Sequence, residues 1–256
     1  MSICRIISPN RLRDDAALIE DTTFNVSELP ASNLLHPNLF KVARSAAGGA
    51  NQYATIDLGS AKGVQAAGIL GHTIPTGPAV LRVAGNDEDL WDDPASGWLN
   101  LTWNVEAIIG FFTALKTYRF WRLEVSASAQ FDIGCLYLGP YWQPVYEAYT
   151  RLDKTEVTSE DRKVTYNVLQ FGFELLTIAE AEELRGFWNL HRRLWGEGPY
   201  QQGSEPGLFC LDSTGIICTK GLQKFSIYGV IIGDFPEVIT RHSDVERLEF
   251  EVEECL

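Results

Sequence analysis

Through the first 143 residues, short runs rich in β-branched and aromatic side chains recur between clusters of Gly, Pro, Asn and Asp. A strand needs only a handful of such residues and a turn to reverse it, whereas an α/β crossover needs a helical stretch between strands. The spacing therefore predicts a β-sandwich, with strands at 2–7, 22–26, 40–44, 53–58, 64–71, 79–84, 98–102, 118–125 and 131–138. In 118–125 the alternation is clean: Trp121, Leu123 and Val125 share one face while Arg122 and Glu124 point the other way, so one dry and one wet side are expected.

Gly139-Pro140-Tyr141-Trp142-Gln143-Pro144 breaks this pattern, because each proline fixes φ and removes a backbone donor. A domain boundary is expected near residue 143, giving a sandwich over 1–143 and a second domain over 144–256. In the second domain, 164–176 reads as a long strand with Gly172 as its bend or bulge. Thr177-Ile178-Ala179-Glu180 follows as a capping box, so a helix is expected from there. Ile178, Leu184, Phe187, Trp188, His191, Leu194 and Trp195 fall mostly at three- and four-residue spacings, which makes the helix amphipathic, and 196–199 stops it. Strands are expected at 207–211, 216–219 and 225–232, and the alternation of 247–253 closes the chain with one buried face. The fold class read here is mainly β with some α: a sandwich joined to an α+β domain crossed by one long helix.

Charge narrows the partners. The formal net charge is -13, so a phosphate backbone or an anionic bilayer is repelled over most of the surface, and neither nucleic acid nor membrane is an expected partner. Residues 1–15 carry Arg5, Arg11 and Arg13 without an uninterrupted apolar core, and no later run approaches the ~18–20 apolar residues of a membrane span. Synthesis in the cytosol without secretion or anchoring is the expectation. Cys4, Cys135, Cys210, Cys218 and Cys255 are scattered and lack CxxC spacing, so they are read as small buried apolar residues or surface thiols.

Two resemblances emerge from the order of these segments. Ala31-Ser32-Asn33-Leu34, then Ile56-Asp57-Leu58-Gly59, then Val64 to His72, Tyr118 to Val125 and Ile133 to Gly139 together resemble the discoidin, or galactose-binding-like, jelly roll. These are framework positions, and the cysteine pair common in extracellular discoidin domains is absent. The second domain resembles the hub domain of distal tail and minor tail proteins of long-tailed phages, through Leu176-Thr177-Ile178-Ala179-Glu180-Ala181, Leu211-Asp212, Phe225-Ser226-Ile227-Tyr228-Gly229-Val230 and the acidic closing strand. That resemblance implies a virion protein of the tail tip or baseplate, assembled in the host cytoplasm. It also implies a ring homo-oligomer, sixfold or threefold, that contacts other tail-tip proteins and carries a jelly roll facing neighbours or host-surface glycan. The alternative is a carbohydrate-binding adhesion protein whose main role is recognition of host polysaccharide.

No catalytic constellation stands out. There is no G-x-S-x-G elbow and no phosphate loop, since Ala47-Gly48-Gly49-Ala50 lacks the Lys-Ser or Lys-Thr that should follow. The chain is therefore not expected to be an enzyme. The four histidines, His36, His72, His191 and His242, are too dispersed for a local metal motif and are read as hydrogen-bonded structural residues. Asp87 and Asp89, in an acidic run with Glu88, Asp92 and Asp93, have the oxygens that calcium needs but not the spacing of an EF-hand, and a solvated loop is the alternative. Trp91 and Trp98, with Asp92 and Asp93 between them, suit a sugar ring if this loop is a binding edge. Glu249, Glu251 and Glu253 read either as an edge strand guarded by like charges or as an acidic stripe meeting a basic neighbour.

Overall fold

The computed structural model describes residues 4–13, 16–46, 51–145, 149–150, 155–159, 164–191, 206–210, 226–232, 239–240 and 246–254. In chain order the strands are β1 (Arg5–Ile7), β2 (Leu18–Thr22), β3 (Ala43–Arg44), β4 (Asn51–His72), β5 (Val80–Asn86), β6 (Leu99–Asn100), β7 (Ala107–Ser126), β8 (Asp132–Gly139), β9 (Tyr141–Trp142), β10 (Tyr149–Thr150), β11 (Thr155–Ser159) and β12 (Val164–Leu176). Helix α1 (Ile178–His191) is followed by β13 (Gly207–Cys210), β14 (Ser226–Ile232), β15 (Ile239–Thr240) and β16 (Glu246–Glu254). The fold is mainly β, with one α-helix and two antiparallel sheets among the described residues. No described helix is long and apolar enough to cross a membrane.

The chain divides into two compact units, Pro9–Pro140 and Met1–Ser8 with Tyr141–Leu256. The first eight residues, expected in the sandwich, belong with the second unit because β1 lies between β9 and β13. Ile6 pairs with Trp142 on one side and with Phe209 on the other. A strand that leaves its sequence neighbours to complete a distant sheet has no local signal.

In the sandwich unit the strand order is β3-β8-β4-β7-β5-β6, with β2 added to β4. The expected strands 53–58 and 64–71 are one bent strand, β4, and its partner β7 also extends well before residue 118. Register shifts between Asp57 and Lys62 and between Val64 and Ala66 let this antiparallel pair turn as it runs. Residues 51–57 pair with 120–126 of β7, residues 66–70 pair with 107–111 of β7, and β8 pairs along the other side of β4 from Ala66 to His72. The two ends of the β4–β7 ribbon thus supply the two layers. Their inner faces meet in one core holding Ile56, Trp121, Leu123 and Val125 from one end and Ala67, Ile69, Ile108, Leu136 and Leu138 from the other. Each fully buried aliphatic or aromatic side chain contributes on the order of 1.5–3 kcal/mol.

In the second unit the order is β10-β12-β16-β14-β13-β1-β9. Phe171, Phe173, Phe209, Ile227, Ile231, Phe250 and Val252 form its core with Ala181, Leu184 and Trp188 of α1. The capping box forms as its residue types require: Glu180 N donates to Thr177 Oγ1 at 3.2 Å, and Thr177 N donates to Glu180 Oε2 at 2.8 Å. Ile178, expected on the apolar stripe, is 50% exposed, because the buried stripe starts at Ala181 and the first turn carries the cap. The expected bend at Gly172 is displaced: Gly172 pairs regularly with Glu249, and the irregularity lies between Phe173 and Leu176. The expected helix end at 196–199, the strand 216–219, Leu211, Asp212, Phe225, Leu194, Trp195, His242, Cys218 and Cys255 lie outside the described residues.

Candidate functional site

Four strands build the surface that carries Trp91 and Trp98. Cross-strand register aligns Tyr53 (β4), Glu124 (β7) and Arg82 (β5) in one row, and Asp21 (β2), Thr55 (β4) and Arg122 (β7) in the next. This is the face expected to be wet, yet Glu124 is only 9% exposed. A charged row that is shut off from water must be paired. Arg82 donates from Nε and Nη2 to the same Glu124 oxygen at 2.8 and 2.7 Å, and Arg122 Nε donates to Thr55 Oγ1 at 2.8 Å.

The loop after β5 closes over these rows. The Arg82 guanidinium lies 3.9 Å from the centroid of the Trp98 ring, and that of Arg122 lies 4.3 Å from the Tyr53 ring and 4.8 Å from the Trp91 ring. Such contacts contribute about 0.5–1 kcal/mol at exposed sites and more when desolvated. Burial draws the Arg122 pKa below its ordinary value, against the opposing pull of Asp89, Glu124, Tyr53 and Asp21. Trp91 and Trp98 stand 6.3 Å apart with their planes tilted by 47°, both half-buried.

The loop is held by its own hydrogen bonds. Ser96 accepts from Gly85 N at 2.7 Å and its amide donates to Gly85 O at 3.1 Å. Asn86 Nδ2 reaches Leu90 O at 2.7 Å, and Gly97 adopts φ +70°, which a side chain would disfavour. The two Trp rings are therefore positioned before any ligand arrives.

The acidic residues of the loop behave differently from one another. Asp92 and Asp93, which lie between Trp91 and Trp98 in sequence, are exposed. Asp89 accepts from Trp91 Nε1 and lies 3.4 Å from Arg122 Nη2. Asp87 is exposed, and among the described residues no group of three or more His, Cys, Asp or Glu side chains is placed to hold a metal ion. Calcium needs six or more oxygens converging at one point, and one oxygen of Asp89 is already engaged by Trp91 and Arg122.

A hollow of ≈ 280 Å³ lies elsewhere on the sandwich, lined by residues 75–79 and 126–128. Trp103 Nε1 donates to Ile74 O at 2.9 Å and Ala79 N to Ser126 O at 2.8 Å, which fixes the walls. No ionisable side chain lines it, so it has neither an acid nor a base for chemistry. It offers hydroxyls and backbone groups at Thr76, Ser126 and Ser128.

Glu249, Glu251 and Glu253 stand in a row on β16, opposite in face to the buried Phe250 and Val252. The edge-strand reading is overturned: β16 is an interior strand, paired with β12 on one side and β14 on the other. The missed contributors to the Trp surface are Arg82, on the strand that leads into the loop, and Arg122, Tyr53 and Asp21, which lie far from the loop in sequence and share its site only through sheet register.

No family model and no curated protein matches the sequence. Solved structures similar to the chain include a CBM32 protein produced by Clostridium perfringens, at 21% identity, TM-score 0.41, covering 51% of this chain and 98% of that one. A Streptococcus pneumoniae fucose binding module matches at 10% identity, TM-score 0.41, covering 53% and 100%. A family 32 CBM from C. perfringens, solved in complex with galactose, matches at 11% identity, TM-score 0.40, covering 54% and 99%.

Proposed function

We propose that this chain is a recognition protein rather than an enzyme, and that its sandwich unit binds saccharide through the surface carrying Trp91 and Trp98. The observation that carries this reading is a pair of tilted, half-exposed indoles held in place by arginines on a hydrogen-bonded loop. Indole faces pack against the apolar faces of sugar rings, and Asp92 and Asp93 beside them supply acceptors for hydroxyls. Because Arg82 occupies one side of Trp98, the ligand uses the other. A glycan array tests the proposal: wild-type protein binds a defined subset of saccharides, and Trp91→Ala and Trp98→Ala lose it with the unfolding midpoint retained. An array on which the wild type and the two variants give the same pattern ends it.

A second reading makes the chain a structural part of a long-tailed phage tail tip, a virion protein whose second unit assembles with itself and with neighbouring tail proteins. It rests on the resemblance of Leu176 to Ala181 and of the acidic closing strand to tail hub domains. Electron microscopy of purified protein separates the two: sixfold or threefold rings favour the structural role, and monomers at micromolar concentration contradict it.

A further inference from the structure

The loop at 36–41 of the sandwich has features that the Trp surface does not account for. Phe40 is 74% exposed, the most exposed large hydrophobic side chain among the described residues. It is displayed by a rigid frame. Phe40 N donates to Asn38 Oδ1 at 2.8 Å, Lys41 N to Asn38 O at 3.1 Å, and Asn33 Nδ2 to Val42 O at 2.8 Å. The Leu39 backbone lies so close to Gly134 that a Cβ there would stand 2.3 Å from Leu39 O.

Beside Phe40, the His36 ring has an unusual neighbour. Asn38 N, which can only donate, points at His36 Nδ1 at 3.0 Å, so the neutral ring carries its proton on Nε2. That nitrogen lies 3.1 Å from Lys41 Nζ. An ammonium has no lone pair to offer, so two donors face one another with no acceptor between them. Burial, then Lys41, then Arg13 hold His36 below its ordinary pKa; both charges acting on it are positive. In a chain of net charge -13 this is a local reversal of sign.

The geometry points to a site at this loop for an acidic saccharide, one bearing a carboxylate or sulfate. An anionic oxygen accepts from His36 Nε2 and Lys41 Nζ together, and the apolar face of the pyranose rests on Phe40. The inference rests on the saccharide-recognition reading but uses a loop separate in sequence from that of Trp91 and Trp98. A bilayer surface is disfavoured because the rest of the protein repels anionic lipid.

Calorimetry with trigalacturonate and with neutral galactotriose tests it. Trigalacturonate should bind more tightly, with affinity falling as salt rises. Lys41→Met should weaken it by roughly tenfold, about one charged hydrogen bond, and Phe40→Ala should weaken it by removing the ring on which the sugar rests, while Trp98→Ala leaves it unchanged. Equal affinity for the two trisaccharides, or no binding of trigalacturonate, overturns the acidic-saccharide site whatever the glycan array shows for the Trp surface. Binding to phosphatidylserine vesicles that Lys41→Met abolishes, without trigalacturonate binding, also overturns it and assigns the loop to membranes instead.

Discussion

Asp57 and Arg119, 62 residues apart, form a two-point contact: Arg119 Nε to Asp57 Oδ1 at 2.8 Å and Nη2 to Oδ2 at 2.5 Å. Asp57 Oδ1 also accepts from Gly59 N at 2.7 Å, and Gly59 has φ +73°. The Ile56-Asp57-Leu58-Gly59 segment and the Tyr118–Val125 segment are thus one device that closes the bend of β4 against β7.

That device sets an acid sensitivity. The Arg119 hydrogen bonds hold the Asp57 carboxyl below its ordinary pKa, against burial and with help from Gly59 N. A depressed carboxylate adds stability that is present above its unfolded value of about 3.9 and lost as pH falls through the folded value. Asp57→Asn should lower the unfolding midpoint by about 2–4 °C at pH 7. It should also flatten the decline below about pH 4, as read by circular dichroism melts.

A second pH dependence has the opposite chemistry and the same direction. His72 Nδ1 accepts from Ile74 N at 3.2 Å and Nε2 meets Asn104 O at 2.9 Å, so the neutral tautomer is the one that fits. Burial lowers its pKa, with Asn104 O opposing. The unfolded state then takes up the proton first, and stability falls as pH drops below about 6.5 through the folded value. His72→Gln should reduce the loss of melting temperature between pH 7.5 and 5.

Gly134 is a position where space alone decides. Because a Cβ would meet the Leu39 carbonyl at 2.3 Å, the backbone of the 36–41 loop has to move. Gly134→Ala should destabilise by about 1–3 kcal/mol in urea titration. Gly77→Ala, with nothing within 4 Å of the added carbon, should show only the smaller effect of its φ of +69°.

The helix cap gives a local test in the second unit. Thr177→Ala removes the acceptor for Glu180 N and one donor to Glu180 Oε2. A loss of about 0.5–2 kcal/mol is expected, measured by chemical denaturation.

Features written in consecutive residues were readable from sequence. The alternation of 118–125 put Trp121, Leu123 and Val125 in the core, and the Thr177 and Glu180 pair marked the start of α1. Two kinds of feature were not. Residues 59–63 look like a turn between strands, but the ladder continues past them as an exposed bend inside β4. The first part of β7 has Ile108-Ile109-Gly110-Phe111-Phe112, an unbroken apolar run that lacks the two-residue period. At the candidate site, Trp91 and Trp98 are visible as a pair close in sequence, while Arg122 joins them only through strand register and the stacking of Arg82 on Trp98 depends on how the loop folds back. The same reason hid the coverage of Glu124, because covering a face depends on where a loop folds and not on the strand beneath it.

The central claim is that the Trp91 and Trp98 indoles form a preorganised saccharide surface, and nitrogen-proton correlation spectra of the protein titrated with an array-positive neutral saccharide test it most directly. The account predicts saturable shifts confined to the indole NH signals of Trp91 and Trp98 and the amides of 86–98, with the Trp121 indole unmoved. Shifts that leave those two indoles untouched and gather elsewhere on the chain contradict it.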